Sequence, residues 1–64
     1  MPISGKNIIR FLSKRGWEFV SHNGSHVKMK KDGRVAIIPV HGNKDLPRGT
    51  LKSIEKQTGE KIYD

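Results

Sequence analysis

Cysteine is absent from the sequence, and so is any long apolar run. Without cysteine the chain forms neither disulfides nor a cysteine-ligated zinc site, so its fold has no covalent or metal support of that kind. This absence suits a reducing compartment, and we expect a cytoplasmic protein. No segment approaches the roughly 20 apolar residues that cross a bilayer, so no membrane-spanning segment is predicted.

Acidic residues are also few: 6 Asp and Glu stand against 13 Lys and Arg, for a formal net charge of +7. Such a surface attracts polyanions. Nucleic acid is the first candidate partner, and an acidic protein or an anionic lipid surface is the alternative. With 64 residues the chain is predicted to be one domain, residues 1–64, that buries only about 60% of its unfolded surface.

Two helices are predicted, one near each end of the chain. The first runs from Ser4, which can cap its N-terminus, to Arg15, and Gly16 ends it. The second begins after Leu46 with Pro47 in its first turn and ends at Gly59. Apolar residues recur at helical spacing in both, at Ile8, Phe11, Leu12, Leu51 and Ile54. In the tail that follows, we expect Ile62 and Tyr63 to pack against the core.

Three strands are predicted between the helices, over residues 17–21, 25–31 and 34–40. Asp32-Gly33 is the strongest short hairpin signal in the chain, and it joins the second strand to the third. A two-residue turn there places Lys31 opposite Arg34. One face of the sheet then carries the apolar residues Val27, Met29, Ala36, Ile38 and Val40.

The first hairpin has two candidate registers. A two-residue loop at Asn23-Gly24 would put Trp17 and Phe19 on the same face as His26. A three-residue loop over residues 22–24, with Gly24 in a left-handed bulge conformation, puts both aromatic side chains in the core instead. We favour the three-residue loop, because burying two large aromatics contributes several kcal/mol to a small domain.

This register predicts an opposite face that is basic and contains an apolar patch. Its members are Glu18, Val20, His26, Lys28, Lys30, Val35 and Ile37. Both helices can pack on the apolar face, so the chain is predicted to be an α+β, two-layer domain of order α-β-β-β-α with a three-stranded antiparallel sheet. Double-stranded-RNA-binding domains share this layout.

Four short stretches occur in a fixed order along the chain: Gly16-Trp17-Glu18-Phe19, Gly24-Ser25-His26, Ile38-Pro39-Val40-His41 and Leu46-Pro47-Arg48-Gly49-Thr50-Leu51. Their order and spacing resemble those of the HicA toxin family, also called YcfA-like. The likeness covers nearly the whole chain, from about Ser4 to Gly59. Each stretch alone is weak evidence, and the four in order are fairly specific.

The resemblance implies a double-stranded-RNA-binding-like fold and a toxin of a type II toxin–antitoxin system. HicA toxins are mRNA interferases, endoribonucleases that use neither a metal nor another cofactor, and a HicB antitoxin blocks their site. In this family the histidine of the Gly-Ser-His motif, here His26, is taken as catalytic. A second family histidine position falls on His41, which has no firmly assigned role.

Cleavage of RNA needs a base for the 2′-hydroxyl proton, an acid for the leaving 5′-oxygen and positive charge near the phosphate. Histidine, with a reference pKa of about 6.5, is a fair base at neutral pH. Lys28 lies two residues further on the same strand face and can supply fixed positive charge. Ser25 and His41 are candidate helpers, and His41 is expected just beyond the end of the sheet near His26.

A wider set of residues is predicted to bind RNA or the antitoxin. The RNA-binding set is Gly24, Lys28, Lys30, Arg10, Lys14, Lys52 and Lys56. The antitoxin interface is predicted at Val20, His26, Val35 and Ile37, since exposed apolar clusters beside a charged site mark partner surfaces. A metal site at His22 and His26 is not expected, because their spacing puts two ligands on one face only in a helix.

The same residues also have simpler, non-functional interpretations. His26 could be a solvated strand histidine, the basic residues could only keep the protein soluble, and the apolar residues could lie under the tail or a loop. Two further functions are open: a non-catalytic double-stranded-RNA-binding module, and an interaction module for an acidic protein. Metal-independent cleavage that depends on His26 separates the enzyme from both.

Overall fold

The structure, a computed structural model, describes residues 3–62 of the chain. Its elements in order are α1 (Gly5–Lys14), β1 (Glu18–Asn23), β2 (His26–Lys31), β3 (Arg34–Pro39) and α2 (Arg48–Thr58). The strands form one antiparallel sheet in the order β1-β2-β3. This arrangement confirms the predicted α-β-β-β-α architecture. Neither helix in residues 3–62 has the length and apolar character needed to cross a membrane.

One hydrophobic core joins both helices to the same face of the sheet. Alternate residues of β2 and β3 point into it, as the predicted register of this hairpin requires. The cluster consists of Ile8, Leu12, Trp17, Val27, Met29, Ala36, Ile38, Leu46, Leu51 and Ile54, all of them buried. Because the helices cover this face, the other face of the sheet, here called the outer face, is open to solvent.

The N-terminus of α1 is fixed by a cap and by a glycine. The Ser4 hydroxyl accepts a hydrogen bond from the Asn7 N–H at 3.3 Å, which confirms the predicted cap. Gly5 is buried, and a Cβ there would overlap the carbonyl oxygen of Pro39 and come within 3.1 Å of Val40 Cα. The absence of a side chain therefore lets α1 approach the end of β3.

The hairpin between β2 and β3 has the predicted turn. Asp32 and Gly33 both have positive φ, 49° and 82°, as a type I′ turn requires. Lys31 pairs with Arg34, Met29 with Ala36 and Val27 with Ile38. The second and third strands thus have the register predicted from sequence.

The hairpin between β1 and β2 differs from the prediction. Its loop has two residues, Gly24 and Ser25, with Gly24 at a φ of 62° as at the first central position of a type II′ turn, and Asn23 pairs with His26. A β-bulge then shifts the register, because Phe19 pairs with Met29 and Ser21 with Lys28, leaving Val20 without a partner. The extra residue in the bulge moves Trp17 to the core side of the sheet. The predicted three-residue loop would also have put Trp17 on that side, by changing the register at the loop instead of within β1.

Trp17 is buried as predicted, but the prediction that Phe19 joins the core is wrong. The Phe19 side chain is 60% exposed, although its partner Met29 is fully buried. β1 is an outer strand of the sheet, and all six of its residues are exposed. Phe19 stays exposed because α2 packs against β3 and not against β1, so this part of the helix-facing side of the sheet is left uncovered.

The segment after α2 is tied to the rest of the fold by Glu60. Its carboxylate accepts a hydrogen bond from Trp17 Nε1 at 3.2 Å. Lys31 Nζ lies 3.5 Å and Arg15 Nη1 lies 3.9 Å from the same carboxylate. Further along, Ile62 packs against the core as expected, whereas Tyr63 lies outside the described residues. Glu60 thus joins the chain end to the start of β1 and the end of β2.

These contacts give the stability of the protein a defined pH dependence. The hydrogen bond from Trp17, followed by Lys31 and Arg15, lowers the pKa of Glu60 below its ordinary 4.5. A lowered folded-state pKa contributes stability that is present above the unfolded pKa and is lost as pH falls through the folded one. We expect the free energy of unfolding to fall as the pH drops below about 4.5, and to fall less in Glu60→Gln. Urea denaturation of the native protein and Glu60→Gln at pH values above and below 4.5 measures this difference. Parallel curves of unfolding free energy against pH would contradict the stabilising role of the Glu60 carboxylate.

Candidate functional site

The outer face of the sheet is built from three rows of side chains, each defined by strand pairing. The rows, from β1 through β2 to β3, are Asn23–His26–Pro39, Ser21–Lys28–Ile37 and Glu18–Lys30–Val35. The middle strand contributes His26, Lys28 and Lys30, which are all exposed. A histidine is therefore followed by two lysines on one face, as predicted.

His26 is held at the beginning of β2 by the backbone around it. It follows the Gly24-Ser25 turn directly, and a hydrogen bond from the Val40 N–H to the Ser25 carbonyl at 2.6 Å fixes this turn to the end of β3. The next residue, Val27, is buried, so alternation along the strand directs His26 to the opposite face. The exposed position of the imidazole thus follows from the anchoring of its neighbours.

Two open concavities meet at His26. One, of about 420 Å³, is lined by Ser21, Asn23, His26, Lys28 and Ile37. The other, of about 370 Å³, lies between the sheet and α2, and Pro39, Gly49, Thr50, Ser53, Ile54 and Gln57 line it together with His26 and Ile37. We call the first the lysine concavity and the second the α2 groove. His26 and Ile37 belong to both, so a ligand that spans the two concavities passes the imidazole.

The α2 groove exists because α2 also covers the free edge of β3. The Ile37 N–H points away from β2 and donates to Gln57 Oε1 at 3.0 Å. Gln57 Nε2 in turn donates to Ser53 Oγ, one turn earlier in the helix, at 3.4 Å. These two bonds place a polar stripe of α2 beside the outer face.

The other predicted catalytic helpers, Ser25 and His41, line neither the lysine concavity nor the α2 groove. Ser25 is partly buried in the turn, and its carbonyl oxygen receives the Val40 N–H. His41 is exposed, lies two residues beyond Pro39, the partner of His26, and lines neither concavity. Gly24 is open: a Cβ built there would meet nothing within 4 Å.

The basic residues of the two helices have different relations to His26. Arg10 and Lys14 are exposed on α1, in the layer that covers the opposite face of the sheet. Lys52 and Lys56 are exposed on α2 and come directly before Ser53 and Gln57 of the α2 groove. At 100° per residue, Lys56 lies about 60° around the helix from Ser53. The predicted RNA-binding set is therefore divided between the two layers.

Within residues 3–62, four large apolar residues are exposed, and three of them belong to the predicted antitoxin interface. Val35 is 47% and Ile37 39% exposed on the outer face, where they lie in β3 directly opposite Lys30 and Lys28 of β2, respectively. Val20 is 42% exposed in the bulge of β1. Among residues 3–62, no three His, Asp or Glu side chains come together as a metal-binding group.

Sequence reasoning missed the polar residues that surround His26. Asn23 and Ser21 reach the outer face because the loop has two residues, Gly24 and Ser25, and no strong sequence signal predicted this loop. Thr50, Ser53 and Gln57 border the site only because α2 docks along the edge of β3. Their spacing of three or four residues places them on one face of α2, so the sequence could have predicted a polar stripe there. It could not have predicted that this stripe lies beside His26.

The comparisons with known proteins support the resemblance to the HicA toxin family. A family model described as the HicA toxin of bacterial toxin–antitoxin systems matches residues 5–60. A curated relative from Pseudomonas fluorescens (strain Pf0-1), named "Probable mRNA interferase HicA", is 42% identical over 52 residues, which cover 81% of this chain and 87% of the relative. The two-layer α-β-β-β-α domain with a histidine at the head of β2 therefore belongs to the HicA toxin family.

Proposed function

We propose that this protein is the toxin of a toxin–antitoxin system and an endoribonuclease that cleaves mRNA without a metal, with His26 as the catalytic acid–base group. Membership of the HicA family and the 42% identical relative named as an mRNA interferase support the activity. The single observation that carries the role of His26 is its exposed place at the junction of the two concavities, with Lys28 lining one of them. The cytoplasm, where mRNA is found, is the proposed site of action.

In the proposed reaction His26 makes one of two proton transfers: it accepts the proton of a ribose 2′-hydroxyl or donates a proton to the leaving 5′-oxygen. A second group or water makes the other transfer. The 2′-oxygen forms a bond to the adjacent phosphorus while the bond from phosphorus to the 5′-oxygen breaks. Lys28 stabilises the charge that develops on the phosphate oxygens. Lys30 continues the positive track along β2, and Ser25 and His41 remain candidate helpers. Gly24, with no side chain and open space above it, lets the RNA backbone approach.

The partner of such a toxin is a HicB-like antitoxin, and we propose that it covers the outer face. Val35 and Ile37 provide apolar area beside the lysines, and His26 lies on the same face, so one bound protein would block the imidazole and the RNA track together. Val20 extends the apolar surface at the edge of β1.

The role of His26 is tested by substitution. We expect His26→Ala to lower the rate of RNA cleavage in EDTA by about 10²–10⁴-fold, the usual contribution of a general acid–base group, while RNA affinity is retained. His22→Ala is the matched control, since His22 is exposed in the neighbouring strand and pairs with buried Val27. Equal cleavage by the native protein and His26→Ala, or no cleavage by either, would contradict the proposal.

The RNA track is tested by the salt dependence of binding. Each phosphate contact with single-stranded RNA changes the slope of log K against log salt by about 0.7, so replacing both Lys28 and Lys30 with Ala is expected to reduce the slope by about 1.4. The charge-matched control replaces Arg10 and Lys14, which lie in the helix layer. Because these lie on the far side of the sheet, their removal should reduce the slope less. An equal reduction would show that RNA wraps both layers.

The antitoxin interface is tested with two exposed apolar residues on opposite faces. Val35→Ser should weaken binding of the purified antitoxin about tenfold, because an apolar contact at the centre of the interface is lost. Phe19→Ser is the control, since Phe19 is 60% exposed but faces the helix layer. Calorimetric titration gives both affinities. If Phe19→Ser weakens binding and Val35→Ser does not, the antitoxin docks elsewhere.

A further inference from the structure

The α2 groove has a composition that differs from that of the lysine concavity. Its polar lining consists of the neutral side chains Thr50, Ser53 and Gln57, and Ile37 and Pro39 supply an apolar wall. His26 is its only titratable residue. The lysine concavity, in contrast, carries the charge of Lys28. The two sides of the imidazole are therefore suited to different parts of a nucleotide, a phosphate on one side and an uncharged group on the other.

We propose that the α2 groove binds one nucleoside of the RNA, next to the phosphodiester that is cleaved. This inference rests on the proposed function and adds a subsite to it. A base or ribose has flat apolar faces and a polar edge, which matches an apolar wall opposite hydroxyl and amide groups. The volume of about 370 Å³ lies in the range of roughly 300–1,000 Å³ that is typical of small-ligand pockets.

Gln57 gives the groove a fixed hydrogen-bonding polarity. A backbone N–H can only donate, so the atom that faces Ile37 must be the amide oxygen. The amide nitrogen is then directed toward Ser53, whose hydroxyl accepts one of its protons. The second amide proton and the Ser53 hydroxyl proton remain as donors. The groove therefore favours a nucleoside that offers acceptors, and Gln57 and Ser53 are its specificity-determining residues.

The test maps cleavage sites in an RNA pool with randomised positions, by sequencing the new 5′ ends. Ser53→Ala removes the hydroxyl donor and frees the Gln57 amide proton that this hydroxyl accepts, so it changes where the donors of the groove lie. The bond between Gln57 and Ile37 stays in place. Gln57→Glu keeps an oxygen facing the Ile37 N–H and replaces the donor with an acceptor. We expect both variants to lower kcat/KM about tenfold, the effect of about one hydrogen bond, and to change base preference at a single position beside the cut. Ser13→Ala, an exposed serine on α1, should behave as the native protein does.

The outcomes separate this inference from the function on which it rests. If the native protein cleaves RNA and both variants match its kcat/KM and its base preference, the subsite is refuted and the function stands. If the native protein does not cleave RNA, the function is refuted, and NMR titration with the four nucleoside 3′-monophosphates decides the subsite. Shifts of the Ile37 amide and the Gln57 side-chain amide would support binding in the groove. Unmoved signals would refute it.

Discussion

The alternation of side chains along β2 is the constraint on which the rest of the molecule depends. Val27 and Met29 are buried in the core, so His26, Lys28 and Lys30 must lie on the outer face. A register shift of one residue would bury the charged set and expose the apolar one. Each buried apolar side chain contributes about 1.5–3 kcal/mol, a large share of the stability of a small domain. The position of the candidate site is thus fixed by the same interactions that hold the fold.

The surroundings of His26 depend on two less regular features. The bulge at Val20 lets Trp17 enter the core while Asn23 and Ser21 flank His26 and Lys28 on the outer face. The bonds from Ile37 to Gln57 and from Gln57 to Ser53 place α2 along the edge of β3. Together they create one concavity on each side of the imidazole, one with a lysine and one with neutral polar groups. The proposed cleavage and the proposed nucleoside subsite both use this asymmetry.

Local sequence signals predicted the regular part of this structure. The Ser4 cap, the Asp32-Gly33 turn and the alternation of β2 and β3 are determined within a few residues, and the structure has all three. The loop of the first hairpin and the exposure of Phe19 were predicted wrongly, because a bulge and a strand position at the sheet edge depend on tertiary packing. The groove residues escaped prediction for the same reason, since only the docking of α2 brings Gln57 to Ile37.

The central claim is that RNA lies across the outer face, with the phosphodiester to be cleaved beside His26. A crystal structure of His26→Ala bound to a short uncleaved RNA tests it most directly. The account predicts a phosphate within hydrogen-bonding distance of Lys28 Nζ, next to residue 26 at the head of β2. An RNA bound only to the helix layer, along Arg10 and Lys14, with the outer face empty, would contradict it.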